Sequence, residues 1–506
     1  MNRWCNSKLG QRMALGMLAI VALTGAAAPQ RADKSLETAL RRHVETLASD
    51  DFDGRQPGTE GEAKTLRYLA REWFDMGLVS GTNLPGKDWF APVELVKRVP
   101  QGYRATFHRN KRPIPLPAGS FFVVTSGMRG LLENAPVLFV GRGVVPARSE
   151  LAGRIALMLD SLPPGEKPSD RAGKLLDGGA SAVITVLDGE HSIGDITDRR
   201  KRAGYALASE VLGGDLEAFL TPEAFAALLP YPSTLTTLRE EADRPGFMPR
   251  QMGITATLEA TSRETRIHTH NLIGRIPGRD PSAGAVLLLA HWDHFGECEQ
   301  KPANDLICNG AIDNASGIAV ITEAARQLVR GRQLDRDVYV LATTAEEMGL
   351  LGALAFADNP PLPLSQIVAA FNVDSTGLVP RGVPVTVIGR GMTGLDGDIS
   401  KVLRRMKRTL APEGDANQFV RRQDIWALMQ HDVPTVMASS SYSDPVRLKA
   451  FMDNTYHRPN DEGIGLELGG LADDVALQVE LVRHFASEKT YPGPSSAASA
   501  KPTQVP

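Results

Sequence analysis

Cysteine is scarce in this chain, with three residues among 506. Cys5 lies near the N-terminus, whereas Cys298 and Cys308 lie close together in the second half. Their spacing does not match the close cysteine pairs of zinc–cysteine sites, which argues against a thiolate metal site. We therefore favour a Cys298–Cys308 disulfide, the form expected after export to an oxidising compartment, over two unpaired thiols.

An excess of charge of one sign is also absent. Lys and Arg together number 56, Asp and Glu number 59, and the formal net charge is -3. A nucleic-acid-binding protein usually carries a basic excess, so this class of partner is disfavoured. At this length we expect two or three domains rather than one compact core.

Long hydrophobic runs are missing after the N-terminus, so no later segment is predicted to span a membrane. Residues 13–28 form one apolar run, which follows Arg3, Lys8 and Arg12 and ends in three alanines. This pattern predicts a signal peptide at 1–28, removed on export to the periplasm or the extracellular space, with no stable membrane insertion afterwards. The alternative is an uncleaved anchor, but the run is shorter than the roughly 20 apolar residues of a spanning helix.

Several motifs of other hydrolases are missing as well. The chain has no Gly-x-Ser-x-Gly nucleophile elbow, no His-Glu-x-x-His helix and no phosphate-binding Gly-Lys-Ser/Thr loop. These absences disfavour serine hydrolases of the α/β type, helix-borne zinc proteases and P-loop enzymes.

The chain changes character along its length. Residues 35–78 have helical periodicity, 117–260 contain short β-like runs with a few helices, and from 271 onward apolar runs alternate with amphipathic helices. The last pattern predicts an α/β fold with a mixed, mostly parallel sheet flanked by helices. The predicted divisions are the signal peptide at 1–28, an N-terminal part of the main domain at 33–115, an inserted β-rich domain at 116–262, the main part at 263–490 and a disordered tail at 491–506.

Acidic and imidazole side chains follow three of the predicted strands. The apolar runs 285–290, 338–342 and 367–373 lead to His291, to Glu346-Glu347 and to Asp374. In open α/β sheets the functional crevice lies at the carboxyl ends of the strands, so these side chains are expected to meet there. Asp313, just before a predicted helix, and His457, in a polar loop, are expected beside the same edge.

Each of these residues also has an ordinary explanation. Asp313 could cap a helix, Glu346-Glu347 could be a solvated pair at a helix start, and His457 could lie on the surface. Their convergence favours a metal site, because buried carboxylates repel one another and need a compensating cation. A His/Asp/Glu set without cysteine suits zinc, with manganese or cobalt as substitutes.

Five stretches in this order resemble the zinc-dependent aminopeptidase family that includes bacterial leucyl aminopeptidases and glutamate carboxypeptidases. An N-terminal segment, Gly54-Arg55-Gln56-Pro57-Gly58-Thr59, and an inserted block similar to the protease-associated domain, around 173–186, extend the resemblance. The five stretches are Ala290-His291-Trp292-Asp293-His294-Phe295-Gly296, Asn309-Gly310-Ala311-Ile312-Asp313-Asn314-Ala315-Ser316-Gly317, Thr344-Ala345-Glu346-Glu347-Met348-Gly349-Leu350-Leu351-Gly352, Asn372-Val373-Asp374 and Tyr456-His457-Arg458-Pro459.

The resemblance implies a di-zinc exopeptidase fold and two zinc ions per chain. One zinc ion would take His291 and Asp374, the other Glu347 and His457, and Asp313 would bridge them. The implied activity is removal of N-terminal residues from peptide substrates. No feature of the sequence specifies the number of subunits.

The resemblance also implies two catalytic residues. Glu346 would act as the general base toward a water acidified by the two ions. Asp293 would accept a hydrogen bond from the second ring nitrogen of His291 and so fix its tautomer.

The sequence departs from this family at two places. A Ser-Asp-His stretch common before the last strand is replaced by Gln423-Asp424-Ile425, and Phe419-Val420 stand where some members have a tyrosine that assists the oxyanion. Tyr442 could supply a hydroxyl instead, or could simply pack in its loop.

Three other functions stay open. A carboxypeptidase or dipeptidase would need a basic group facing the substrate carboxylate, and Arg390, Arg421 or Arg422 could serve. A single-zinc transferase of the glutaminyl cyclase type is conceivable. A non-catalytic binding or receptor protein would be favoured by loss of a ligand or of the base, and neither is lost.

Overall fold

The computed structural model describes residues 33–161, 171–189, 191–210, 213–412 and 414–493. The predicted signal peptide and nearly all of the predicted disordered tail lie outside these ranges. Among the described residues, no helix is both long enough and apolar enough to cross a membrane.

Two helices and a long strand begin the described chain. The carboxylate of Asp33 accepts hydrogen bonds from the backbone N–H groups of Ser35 and Leu36 and so caps the first helix. The second helix ends at Gly77, whose φ of 101° is a conformation that glycine adopts without strain. These elements are α1 (Lys34–Leu47), α2 (Glu60–Met76), β1 (Val79–Ser80) and β2 (Phe90–Arg109).

The next part of the chain is rich in short strands, as predicted from its texture. Its helices are also short, and two of them begin with a capping box at Ser192 and Thr234. The elements are β3 (Arg112–Ile114), β4 (Phe121–Thr125), β5 (Arg129–Phe139), α3 (Arg148–Leu151), β6 (Ile155–Leu159), α4 (Arg171–Asp177), β7 (Ala182–Val186), α5 (Ile193–Arg200), β8 (Gly204–Leu207), β9 (Leu216–Leu220), α6 (Pro222–Leu228) and α7 (Leu235–Ala242).

The remaining part alternates strands and helices. The observed strands coincide closely with the predicted apolar runs. The elements are β10 (Arg250–Ile276), β11 (Ala285–His291), β12 (Gly296–Glu297), β13 (Ile307–Cys308), α8 (Ser316–Val329), β14 (Asp337–Thr343), α9 (Leu351–Asp358), β15 (Ile367–Asn372), β16 (Thr386–Ile388), α10 (Asp396–Arg405), α11 (Ile425–Met429), β17 (Thr435–Ser439), α12 (Pro445–Asn454) and α13 (Leu468–Phe485).

A single mixed sheet joins most of the strands, and β11, β14, β15 and β17 pair in parallel within it. Strands β10 and β16 flank these four in antiparallel orientation. The order of the main path is β16-β17-β15-β11-β14-β10-β5-β6-β7-β9-β4. The predicted fold class, a mixed and mostly parallel α/β sheet flanked by helices, is confirmed.

Both faces of the parallel strands are buried, which explains why they are continuous apolar runs. Val286, Leu288 and Ala290 of β11 face helices α1, α8 and α13 in one core. The alternate residues Leu287 and Leu289 lie in a second core with residues of α9 and α11. Polar functional side chains can therefore be placed only where these strands end, because the side chains there are no longer packed in a hydrophobic core.

The β-rich part has a hydrophobic core of its own, built on β5, β6, β7 and β9. Strands β2 and β10 lead to it and away from it, and they pair with each other in antiparallel fashion from Phe90 with Leu272 to His108 with Thr255. Strand β10 runs without a break across the predicted boundary between 262 and 263. The inserted domain at 116–262 and its likeness to a protease-associated domain stay predictions.

Candidate metal centre

Three neighbouring parallel strands deliver side chains to one edge of the sheet. Strand β11 lies between β14 and β15, and His291 is its last residue. The chain leaves β14 toward Glu346 and Glu347, and leaves β15 toward Asp374. These four side chains are all buried or nearly so, with Glu346 9% exposed.

Asp313 reaches the same edge on a turn that precedes α8. The carboxylate of Asp461 fixes this turn by accepting hydrogen bonds from the N–H groups of Ile312 and Asp313, both at 3.0 Å. Asn314 ties the turn to the end of β15, since its Nδ2 donates to the carbonyl of Val373 at 2.9 Å. Gly310 is required here, because a Cβ at this position would lie 2.1 Å from the carbonyl oxygen of Asp313.

The two oxygens of Asp313 face in different directions. Oδ1 lies 3.3 Å from Nε2 of His291, and Oδ2 lies 3.2 Å from Nε2 of His457. Oδ1 of Asp374 also lies 3.4 Å from His291 Nε2, and Oε2 of Glu347 lies 3.0 Å from His457 Nε2. All five predicted ligands thus meet, and they form two groups that share Asp313.

The separations within each group suit a shared cation. Two ligand atoms of one tetrahedral zinc ion, each about 2.0–2.1 Å from the metal, lie roughly 3.3 Å apart. The Nε2 atoms of His291 and His457 and Oδ2 of Asp313 make no hydrogen bond among the described residues. Buried polar atoms without a hydrogen-bond partner are rare in proteins. Three of them lie together here, and ligation of metal ions would give each of them a partner.

Glu346 lies beside the first group without joining it, with Oε2 at 4.0 Å from Nε2 of His291. Its neighbour Glu347 points to the second group. The chain turns sharply here, because Ala345 has a φ of 52°, in the left-handed region. This turn gives the two adjacent glutamates their different directions.

Asp293 accepts a hydrogen bond from His291 through its backbone carbonyl and not through its carboxylate. Nδ1 of His291 donates to the backbone carbonyl of Asp293 at 3.2 Å, while the carboxylate lies 3.8 Å away. That carboxylate instead accepts from the N–H groups of Glu346 at 3.1 Å and Glu347 at 3.4 Å. Asp293 therefore orients His291 through its main chain and the glutamate turn through its side chain.

Sequence reasoning missed His294. Its Nδ1 donates to Oε1 of Glu347 at 2.7 Å, and its ring lies edge-on to that of His457. A signal was available in the sequence: His294 ends the segment His291-Trp292-Asp293-His294, in which His291 and Asp293 were already assigned to the site.

Left-handed backbone conformations cluster around the site. Besides Ala345, Ser375 next to Asp374 has a φ of 48° and His457 itself has a φ of 59°. Such conformations cost on the order of 1–3 kcal/mol each in non-glycine residues and persist only where the surroundings impose them. The protein thus maintains local strain where the predicted ligands converge.

Arg55 is a cation buried behind the site, 1% exposed. Among the described residues its guanidinium donates only to backbone carbonyls: those of Trp292 at 2.8 Å, Leu47 at 2.7 Å, Asn309 at 2.5 Å and Gly310 at 2.8 Å. It thereby connects the segment after β11 to the segment before Asp313. Burial lowers the pKa of Arg55 to about 10, and nearby carboxylates oppose this shift.

Negative charge accumulates at the site beyond what Arg55 can balance. Burial raises the pKa of Asp293 to about 7 and, with Glu347 and Asp374 nearby, raises the pKa of Glu346 well above its usual range. Burial alone would lower the pKa of His457, but its contacts with Asp313 and Glu347 raise it to about 9. Without another cation nearby, the buried carboxyl groups of Asp293 and Glu346 favour their protonated forms. A bound metal cation would compensate their negative charge instead, so this excess of buried carboxylates is typical of a metal site.

The residues that depart from the family pattern line the region beside Asp374. The hydroxyl of Tyr442 accepts a hydrogen bond from Nε2 of Gln423 at 3.2 Å. Burial and the charges of Asp374 and Asp313 raise its pKa well above the usual range. Asp424 accepts a hydrogen bond from Thr343 at 2.5 Å.

Two histidines of β10, His268 and His270, do not join the site. His268 lies 2.7 Å from Glu94 on an exposed part of the β2–β10 pair, and His270 lies 3.1 Å from Glu62. The two remaining cysteines form the Cys298–Cys308 disulfide, so that prediction is confirmed. It closes the loop between His291 and Asp313.

The fold and the site define an α/β protein with a buried carboxylate–imidazole centre at the carboxyl edge of a mostly parallel sheet. Residues 271–473 match the profile of Peptidase family M28. The matched part of the chain carries all five predicted ligands and Glu346.

Comparisons with individual proteins find a similar fold and two shorter stretches of similar sequence. The fold is similar to that of an aminopeptidase from Aneurinibacillus sp. strain AM-1, with a TM-score of 0.53 and 18% identity over 89% of this chain and 93% of the other. A putative aminopeptidase of Acetivibrio thermocellus is 35% identical over 85 residues, 16% of this chain and 23% of the relative. A vacuolar membrane protease of Meyerozyma guilliermondii is 34% identical over 119 residues, 23% of this chain and 11% of the relative. The chain therefore spans less than a quarter of the length of these two relatives.

Proposed function

We propose that the protein is a zinc-dependent aminopeptidase that holds two zinc ions per chain and removes N-terminal residues from peptides. The observation that carries the proposal is the placement of Asp313, with one oxygen 3.3 Å from His291 and the other 3.2 Å from His457. A carboxylate whose two oxygens face two separate imidazole groups can serve two neighbouring metal ions at once.

In this proposal five residues would hold the metal ions. His291 and Asp374 would hold one ion, Glu347 and His457 would hold the other, and Asp313 would contribute to both. When bound, the zinc ions would polarise the scissile carbonyl and make a water molecule more acidic.

Glu346 would move the proton. Its carboxylate lies beside the first group, 4.0 Å from Nε2 of His291, and is nearly buried. Such a carboxylate can take a proton from the attacking water and deliver it to the leaving amine. Asp293, which receives the N–H groups of Glu346 and Glu347, would fix the orientation of this base.

Export is part of the proposal. The signal peptide predicted at 1–28 would direct export of the chain. The Cys298–Cys308 disulfide supports an oxidising compartment such as the periplasm or the extracellular space.

The test combines metal analysis with a peptide assay on the purified protein. We expect two zinc ions per chain and cleavage of a short peptide with a free N-terminus but not of its N-acetylated form. Cleavage of the acetylated peptide from its C-terminus would instead establish a carboxypeptidase. Two bound zinc ions without cleavage of any peptide in a broad set would favour a non-catalytic binding protein, and failure to bind zinc would refute the proposal.

A further inference from the structure

The wall of the metal centre beside His457 is aromatic. The ring of Tyr456 stacks on that of His457, with 3.6 Å between the centroids and 26° between the planes. Arg422 covers this stack from outside: its Nη2 donates to the Tyr456 hydroxyl at 3.3 Å, and its Cζ lies 5.6 Å from the centre of the ring.

A second aromatic pair borders the same guanidinium. The Cζ atom of Arg422 lies 5.8 Å from the ring centre of Phe419, which packs edge-on against Tyr442 at 5.4 Å. Tyr442 follows β17, the neighbour of the strand that leads to Asp374. Arg422 therefore lies between two aromatic groups that adjoin the two sides of the metal centre.

Arg422 has no acidic partner in the part of the chain that the structure describes. Its hydrogen bond to Tyr456 is with a neutral hydroxyl, and the residue is exposed. One hydrogen bond leaves most of the five N–H donors of a guanidinium free. A cation in this state, bordered by rings, can receive a carboxylate through two parallel hydrogen bonds.

The neighbouring arginines are placed differently. Arg421 stacks on Trp426, with its Cζ 4.9 Å from the ring centre. Arg390 lines a separate cavity beside α10, with Asp396 and Ser400. Of the three arginines that the sequence offered as carboxylate-binding groups, Arg422 is the one seen in contact with the aromatic wall of the metal centre.

We propose that Arg422 and the Tyr456 hydroxyl form a carboxylate-binding subsite at the rim of the metal centre, which makes the protein prefer substrates with a carboxylate close to the scissile bond. This inference rests on the proposed peptidase function. The carboxylate can come from an acidic side chain or from the C-terminus of a dipeptide, and these sources share the same chemistry. The alternative is an arginine that only packs on aromatic rings.

Paired substrates test the subsite with the zinc-loaded protein. The pairs differ only in charge: Glu against Gln at the first or the second position of a tripeptide amide, and the dipeptide Leu-Ala against its amide. We expect kcat/KM to be about 5- to 30-fold higher for the carboxylate member of at least one pair, the factor that corresponds to about 1–2 kcal/mol of interaction free energy. The pair that responds identifies the source of the carboxylate.

Variants assign the effect to Arg422. In Arg422→Gln the ratio for the responding pair should fall to about 1, and Arg422→Lys should restore part of it, since the charge remains but the bidentate geometry does not. Arg421→Gln is the matched control and should keep the wild-type ratio. A wild-type ratio near 1 for all pairs, or an unchanged ratio in Arg422→Gln, would overturn the subsite.

A binding measurement separates failure of the subsite from failure of the proposed function. In a Glu346→Gln background, calorimetry gives the Kd of each peptide without turnover, before and after Arg422→Gln. Tighter binding of the carboxylate peptides that depends on Arg422, in a protein whose wild type cleaves nothing, would support the subsite and refute the peptidase. Cleavage of peptides by the wild type, together with equal Kd values within every pair, would support the peptidase and refute the subsite.

Discussion

Nδ1 of His294 lies 2.7 Å from Oε1 of Glu347, so the carboxylate that faces His457 with one oxygen is held by a second histidine at the other. Partners of this kind orient a ligand, and their loss typically costs 10- to 100-fold in metal affinity. We expect His294→Ala to weaken binding of the second zinc ion by about this factor, measured by competition with a chromogenic chelator.

His268→Ala is the control for this measurement, because His268 is exposed and pairs with Glu94 away from the centre. Equal zinc affinity in the two variants would show that His294 does not support Glu347.

The position of Asp313 between the two imidazoles predicts its effect on metal content. Asp313→Ala removes one ligand from each group, so we expect fewer than two zinc ions per chain after dialysis against buffer, measured by atomic emission. Asp358→Ala, an exposed aspartate near the end of α9, should retain both ions. A full two-ion content in Asp313→Ala would contradict the shared-ligand assignment.

Glu346 should matter for turnover and not for metal content. Glu346→Gln keeps the shape of the side chain but removes the proton acceptor, and general bases contribute typically 10²- to 10⁴-fold. We expect kcat to fall by about two to four orders of magnitude while the zinc content stays at the wild-type value. A variant with wild-type kcat would exclude Glu346 as the base, and Glu297→Gln, at an exposed glutamate, serves as the control.

Arg55 should be necessary for stability even in the absence of metal. Arg55→Met would leave four buried carbonyls without their donor, and an unsatisfied buried group costs about 1–3 kcal/mol. We expect the free energy of unfolding, from urea titration of the metal-free protein, to fall by roughly 3 kcal/mol or more. The comparison is Arg41→Met, an exposed arginine on α1, and an equal effect of the two substitutions would contradict the assigned role.

A pH-dependent contribution is expected from Asp188 in the β-rich part. Burial acts to raise its pKa, but hydrogen bonds from Ser161 and from Nε of Arg239 outweigh burial, and the pKa lies below its usual range. A group whose pKa is depressed in the folded state stabilises the fold above its unfolded pKa, near 4, and loses this contribution as the pH falls.

Asp188→Asn should therefore lower the melting temperature at pH 7 and have a smaller effect at pH 3. The measurement is thermal unfolding of wild type and variant at both pH values. A difference that grows toward acidic pH would show that the sign is wrong, and Asp75→Asn on the exposed face of α2 controls for the loss of a surface charge.

The sequence was most informative where local pattern and burial agree. Strands β11, β14 and β15 were predictable because residues buried on both faces form continuous apolar runs, and their polar ends marked His291, Glu347 and Asp374. The support of the site was not predictable in the same way. That Arg55 reaches the carbonyls of Trp292 and Gly310, or that Asp293 orients His291 through its main chain, depends on contacts between segments far apart in sequence. A guanidinium and a carboxylate carry no local signal that names such partners.

The ribbon formed by β2 and β10 carries both covalent connections between the β-rich part and the part that holds the metal centre. Because these two strands are hydrogen-bonded to each other from Phe90 with Leu272 to His108 with Thr255, cutting the chain at one exposed loop of the β-rich part would not free that part. The nicked protein would remain one particle on gel filtration and separate only in denaturant. Because the two parts are joined by paired strands and not by a flexible linker, any movement of the β-rich part relative to the metal centre would have to bend or twist the β2–β10 ribbon.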